Sequence, residues 1–350
     1  MVKTVDVLQV SKSSIIQRTR RLPMAGRVLV AAGDAVRPAD VVAEAVLPAG
    51  VITLEVDRGL GVSPQEADAC ALRQPGDTLR AGDLLAQCEG TLTRVVRAPA
   101  DGTLIDFSRG KAIIAAGESK ITLQAGLPGV VEDIFPEFGA TIRAEGSLVQ
   151  AEWGRGGIAE GPLRVLESLE FEDEGEDEIK AGDILALPSI DSLEAFDLIQ
   201  KHDLAGWVTF WMAPELIKPA QECVIPMLVI SGMSVGEVDP KAWDILLGNQ
   251  GRVCGLNADS ALLGSGQRLE LIVPGEGKKP EEALGPQAAL AVGQRVRILT
   301  GAAMGQVGMV SKLQAPLMFE SGFAFPTTTV DLASGSQVQV PQQDLVVLGY

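Results

Sequence analysis

A single histidine and four scattered cysteines limit the chemistry open to this chain. His202 is the only histidine in 350 residues, and Cys70, Cys88, Cys223 and Cys254 stand far apart with no Cys-x-x-Cys spacing. A zinc site usually draws on several Cys or His ligands, and a nucleophilic triad needs a histidine beside its serine or cysteine. Neither is expected here. The four cysteines read as buried free thiols rather than as a disulfide or a nucleophile. Glu215, Glu237 and Asp239 are carboxylates that could move a proton, but nothing in their spacing singles them out. No catalytic residue, no metal ligand and no cofactor is therefore expected.

Two other sets of residues are candidates for binding. The first is Trp211, Ser231, Gly232, Met233 and Ser234, which follow strand-like runs. In open α/β sheets ligands sit beyond the carboxyl ends of the strands, so these residues could line a pocket. The simpler reading is that Trp211 and Met233 merely cover the sheet end. No glycine-rich phosphate loop follows any strand there. The second set lies near the C-terminus: Arg295, Arg297, Gly305, Lys312, Phe319, Phe323 and Phe325. RNA contact uses basic and aromatic loop residues of this kind, but the basic residues are few, so protein contact is the better reading. Near the N-terminus Lys12, Arg18, Arg20 and Arg21 make a local basic patch, read as a solvated arm.

The elements that must position these residues are mostly short strands. The chain is 46% hydrophobic but only 4% aromatic, and it carries 39 glycines and 20 prolines, a balance that favours turn-rich β modules over helical bundles. A mean hydropathy of +0.21 supports well-filled cores. The net charge of −17 would repel a phosphate backbone, so nucleic acid is disfavoured except through the last module. No apolar run approaches the roughly 18 residues that span a bilayer. The N-terminus shows no apolar h-region, which points to a cytoplasmic protein.

Within Gly76–Leu104 two Gly-Asp turns, Gly76-Asp77 and Gly82-Asp83, alternate with short strands before Ala98-Pro99-Ala100-Asp101-Gly102. Glycine tolerates positive φ and aspartate caps its own turn, so each pair reads as a reversal. Looser copies occur around Gly33-Asp34 and at Gly139–Gly146, and Ser63-Pro64-Gln65-Glu66 reads as a helix start. The Gly-Asp pattern with its Ala-Pro-x-x-Gly sequel resembles the barrel-sandwich hybrid of lipoyl and biotinyl domains. The carrier lysine of that family has Lys111 as its nearest counterpart, but no methionine flanks it, so the resemblance implies the fold and not the carrier chemistry.

Further on, strands at Ile184–Leu187, Trp207–Trp211, Pro226–Ile230 and Arg252–Leu256 alternate with helices at Ser192–His202, Pro214–Gln221 and Asp239–Leu247, which predicts a parallel α/β arrangement. This order resembles the swivelling β/β/α domain of phosphoenolpyruvate-using enzymes. The segment matching its phosphorylated histidine is Trp211–Leu216, which holds no histidine, so phosphotransfer is not implied. Finally, Val292–Thr300 and Ala302–Val310, with Gly305 and Gly308 at the bend, look like a KOW motif on an SH3-like barrel.

The fold expected is thus multidomain and β-rich: a lead-in at 1–21, a barrel-sandwich-hybrid-like domain at 22–160, a swivelling-like α/β domain at 161–262, a strand and linker at 263–290, and a KOW barrel at 291–350. The acidic run 167–180 reads as an exposed connection. The combination is similar to bacterial KOW-domain proteins, a resemblance that spans most of the chain and implies no activity. The functional expectation is a non-catalytic scaffold or adaptor that binds a partner protein, with homo-oligomerisation compatible with exposed strand edges. The alternatives are a KOW-type transcription- or translation-associated factor and an enzyme-complex subunit with a small-ligand pocket in the α/β domain.

Overall fold

A computed structural model describes residues 4–89, 92–168, 179–233, 236, 238–259, 268–275, 287–318 and 322–349. Ser234, Glu237, Phe319, most of the acidic run and most of the 263–290 linker lie outside the described residues. Of the described residues 54% are in strands and 13% in helices, so the chain is β-rich, with its strands in several sheets. Among them no helix is long and apolar enough to cross a membrane. Contacts divide the chain into two compact units, one of Leu22–Arg27 and Glu44–Thr122, the other of Met1–Arg21, Val28–Ala43 and Leu123–Tyr350. The segment Gly76–Gly102 lies in the smaller unit, whereas Gly33-Asp34 and Gly139–Gly146 lie in the larger one.

In the smaller unit Gly50–Glu55, Lys111–Ala116, Gly102–Ser108 and Thr78–Leu79 form an antiparallel sheet over Val56, Leu60, Leu79, Leu85, Leu104 and Ile114. The turns form as their residue types require. Gly76 and Gly82 take φ of 98° and 90°, and the carboxylates of Asp77 and Asp83 accept from the Gln74 and Arg80 amides at 3.0 and 3.1 Å. Ser63 caps the helix Pro64–Ala69 in a full capping box with Glu66, whose carboxyl is lowered by the hydrogen bonds it accepts from Ser63. Cys70 ends that helix and is bonded to Cys88 on the strand Leu84–Cys88. The expectation of four free thiols is corrected by this disulfide; Cys223 and Cys254 are the buried free cysteines.

In the larger unit Gly157–Val165, Ile184–Ile190, Gly206–Met212 and Met227–Gly232 pair in parallel. Ile184, Ala186, Val208, Phe210, Leu228 and Ile230 face the helix Pro240–Leu247, whereas Leu185, Leu187, Trp207, Met227 and Val229 face Phe196, Ile199, Leu216 and Ala220. Both faces are covered, which is why Gly206–Met212 is apolar apart from Thr209 and has every residue buried. Val253–Ala258 departs from the expected parallel order. The free edge of Met227–Gly232 is taken by the antiparallel strand Trp153–Arg155, so the chain crosses to the other edge and pairs antiparallel with Gly157–Val165.

The expected lead-in is an 18-residue strand, Thr4–Arg21. Its second half pairs with Gly139–Gln150, and its first half pairs with Leu345–Gly349 and Gln287–Ala289. Val5 and Val7 fill the C-terminal core beside Val296, Ile298, Val310, Val330 and Val347. That core thus draws on residues well outside 291–350. The basic patch is corrected too: Arg20 is 2% exposed, and Arg18 makes two hydrogen bonds to buried Glu270, at 2.8 and 2.6 Å.

Candidate functional site, a buried arginine at the ends of the parallel strands

Arg297 projects from the strand Arg295–Ile298 of the C-terminal strand set and ends among the carboxyl ends of the parallel strands. Its Nη1 donates to Glu152 Oε1 at 2.9 Å and to the Ile230 carbonyl at 3.4 Å, while Nη2 donates to Ser231 Oγ at 3.0 Å. The guanidinium carbon lies 5.8 Å from the centre of the Trp211 ring, within cation–π range. The side chain is 3% exposed, against 20% for Glu152. Burial raises the Glu152 carboxyl from its ordinary range, even though Arg297 pulls in the opposite direction.

The backbone is shaped for this contact. Glu152 is held in place by its amide, which donates to the Val229 carbonyl at 3.1 Å. Gly232 has φ of 119°, and a Cβ there would come 3.0 Å from Glu152 Oε2. A Cβ on Gly236 would fall 2.5 Å from Trp211 Cζ2, so only glycine lets the indole lie where it does.

Beside the pair opens a recess of about 550 Å³, lined among others by Asp6, Gln150, Glu152, Arg268, Leu269, Gln287, Leu299 and Val346. Gln150 joins it to the second buried ion pair: its Nε2 donates to Glu270 Oε2 at 3.3 Å, and its Oε1 accepts from the Gln9 amide at 3.0 Å. Across the recess Asp6 and Gln287 stand opposite each other in register, with Gln287 Nε2 donating to Asp6 Oδ1 at 3.2 Å.

The structure brings together residues that the sequence assigned to separate sites. Trp211, Ser231 and Gly232, read as a strand-end pocket, meet Arg297, read as part of an exposed contact surface. Arg297 is not on that surface. Arg295 and Lys312 are exposed, and Phe323 is 66% exposed and packs against Phe325 with 6.3 Å between ring centres. Gly305 makes the bend at φ 82°. Met233 is half-buried against the helix-side core that contains Trp207. His202 closes the helix Leu193–Lys201, and Lys111 pairs with Glu55 at 3.5 Å. Burial pushes the Cys254 thiol up to about 12 and also raises that of Cys223, so neither is poised as a nucleophile.

Glu152, Gln150 and Arg268 were not singled out from the sequence. The one signal was a polar pair, Gln150 and Glu152, alternating with Val149 and Ala151. No protein-family model matches the chain, and no curated protein matches it in sequence.

Proposed function

We propose that the chain is a non-catalytic scaffold or adaptor whose C-terminal module, a KOW-type SH3-like barrel, docks a partner protein through its long hairpin. The observation that carries this is the hairpin Val307–Met318 and Ala324–Leu332. Beyond Ser311 its first strand has no buried side chain, and Leu313, Leu317, Met318 and Phe323 are all exposed apolar residues, the last two at 66%. Exposed apolar side chains gathered on one hairpin are a feature of protein contact sites. The net charge of −17 works against a second copy as the occupant, so the partner is a different protein with a neutral or basic rim around an apolar patch.

The RNA-associated alternative is weakened by the burial of Arg297, which leaves Arg295 and Lys312 as the exposed basic residues of the expected set. In this reading the swivelling-like α/β module is held to the barrel by the arginine rather than moving freely, and the barrel-sandwich-hybrid-like module is a further interaction unit.

The test is native purification of the full chain and of a Leu317→Asp, Phe323→Asp variant, with proteins bound at moderate salt identified for both. A protein retained by the wild type, lost from the variant and weakened by salt is the expected result. Identical retention by both chains, or elution of the wild type alone, would overturn the proposal.

A further inference from the structure

The recess beside Glu152 is built for more than strand packing. Its lining comes from the N-terminal strand, the α/β part and the C-terminal strand set, and it holds two carboxylates, a guanidinium and two amides together with apolar residues. A volume of about 550 Å³ lies within the usual range for small-ligand sites. We infer that the recess binds a small zwitterion of the amino-acid class. Its ammonium faces Glu152 and Asp6, its carboxylate faces Arg268, and an aliphatic side chain rests on Leu269, Leu299 and Val346.

The charges argue for this class over its neighbours. Glu152 keeps a carboxyl raised by burial although Arg297 is already beside it, so a further positive group in the recess lowers the cost of ionising it. Asp6 is exposed at the rim and adds a second acceptor for an ammonium. Two carboxylates in a chain of net charge −17 disfavour a purely anionic ligand. Arg268, with five N–H donors, can hold a carboxylate in two hydrogen bonds while keeping other contacts. Leu269 and Val346 are buried and Leu299 half-buried, and all three line the recess as apolar partners for an aliphatic side chain.

The inference is independent of the hairpin and is tested on the full chain by calorimetric titration. The probes are L-leucine, N-acetyl-leucine, which lacks the ammonium, leucinamide, which lacks the carboxylate, and an equimolar mixture of the proteinogenic amino acids. Leucine or the mixture should bind, and each blocked derivative should bind roughly tenfold or more weakly, the loss of one charge-assisted contact. Leu299→Trp, which fills the recess, should abolish binding. Asp6→Asn, at an exposed position, should weaken binding without moving the unfolding midpoint. No binding of leucine or the mixture would overturn the inference. Equal binding of the blocked derivatives, or unchanged binding in Leu299→Trp, would do the same.

Discussion

Arg297 and Glu152 lie 145 residues apart in the chain and meet at 2.9 Å, joining the C-terminal strand set to the ends of the parallel sheet. A buried pair of this kind seldom adds net stability over an apolar substitute, but losing one partner strands the other's charge. Arg297→Met should therefore destabilise the larger unit by about 3–5 kcal/mol, measured by denaturant unfolding. Replacing both residues, in Arg297→Met with Glu152→Leu, should recover much of that loss. A double variant no better than the single one would contradict the pairing.

The pH dependence follows from the raised carboxyl of Glu152. Its pKa is higher folded than unfolded, so between the two values the folded state holds more proton than the unfolded state. The contribution of Glu152 to stability is then full below the ordinary carboxyl range and falls as pH rises through the folded value. The stability difference between wild type and Glu152→Gln should drift in favour of the variant as pH rises across that window. Urea midpoints for both chains, taken at a series of pH values, check the slope, and a drift in favour of the wild type would refute it.

How far this was legible in the sequence can be judged from particular residues. Gly76-Asp77, Gly82-Asp83, Ser63-Pro64 and Asp239-Pro240 act locally, through one turn or one cap, and they formed where their types required. Arg297 did not read correctly, because period-two alternation with Val296 and Ile298 places it on an outward face like Arg295. That face is covered by the strand ends carrying Trp211 and Ser231, a long-range event with no local signal. The pairing of Thr4–Arg21 was hidden for the same reason: its partners begin at Gly139 and end at Gly349. The disulfide depends on Cys70 and Cys88 converging through a helix and a strand, which spacing alone does not show.

Gly236→Ala should destabilise the chain by about 1–3 kcal/mol, because its Cβ would meet the Trp211 indole at 2.5 Å and force it to move. Thermal unfolding reads the loss. An unchanged midpoint would mean that Trp211 has room to shift and does not fix the position of Arg297.

The Cys70–Cys88 bond closes a separation of 18 residues within the smaller unit. Cys70→Ser with Cys88→Ser should cost that unit about 2–4 kcal/mol, and a reducing agent should lower the wild type toward the variant. Limited proteolysis across Glu44–Thr122 resolves this from the larger unit. Equal cleavage rates with and without the bond would show that it contributes little.

Lys312 provides the most direct test of the docking proposal, since it lies exposed on the hairpin beside Leu313. Amine-reactive cross-linking of the purified complex, read by mass spectrometry, should join Lys312 to the partner, with Leu317→Asp, Phe323→Asp removing that cross-link. Partner cross-links confined to lysines away from the hairpin, such as Lys111, Lys120 or Lys201, would place the docking surface elsewhere and contradict the account.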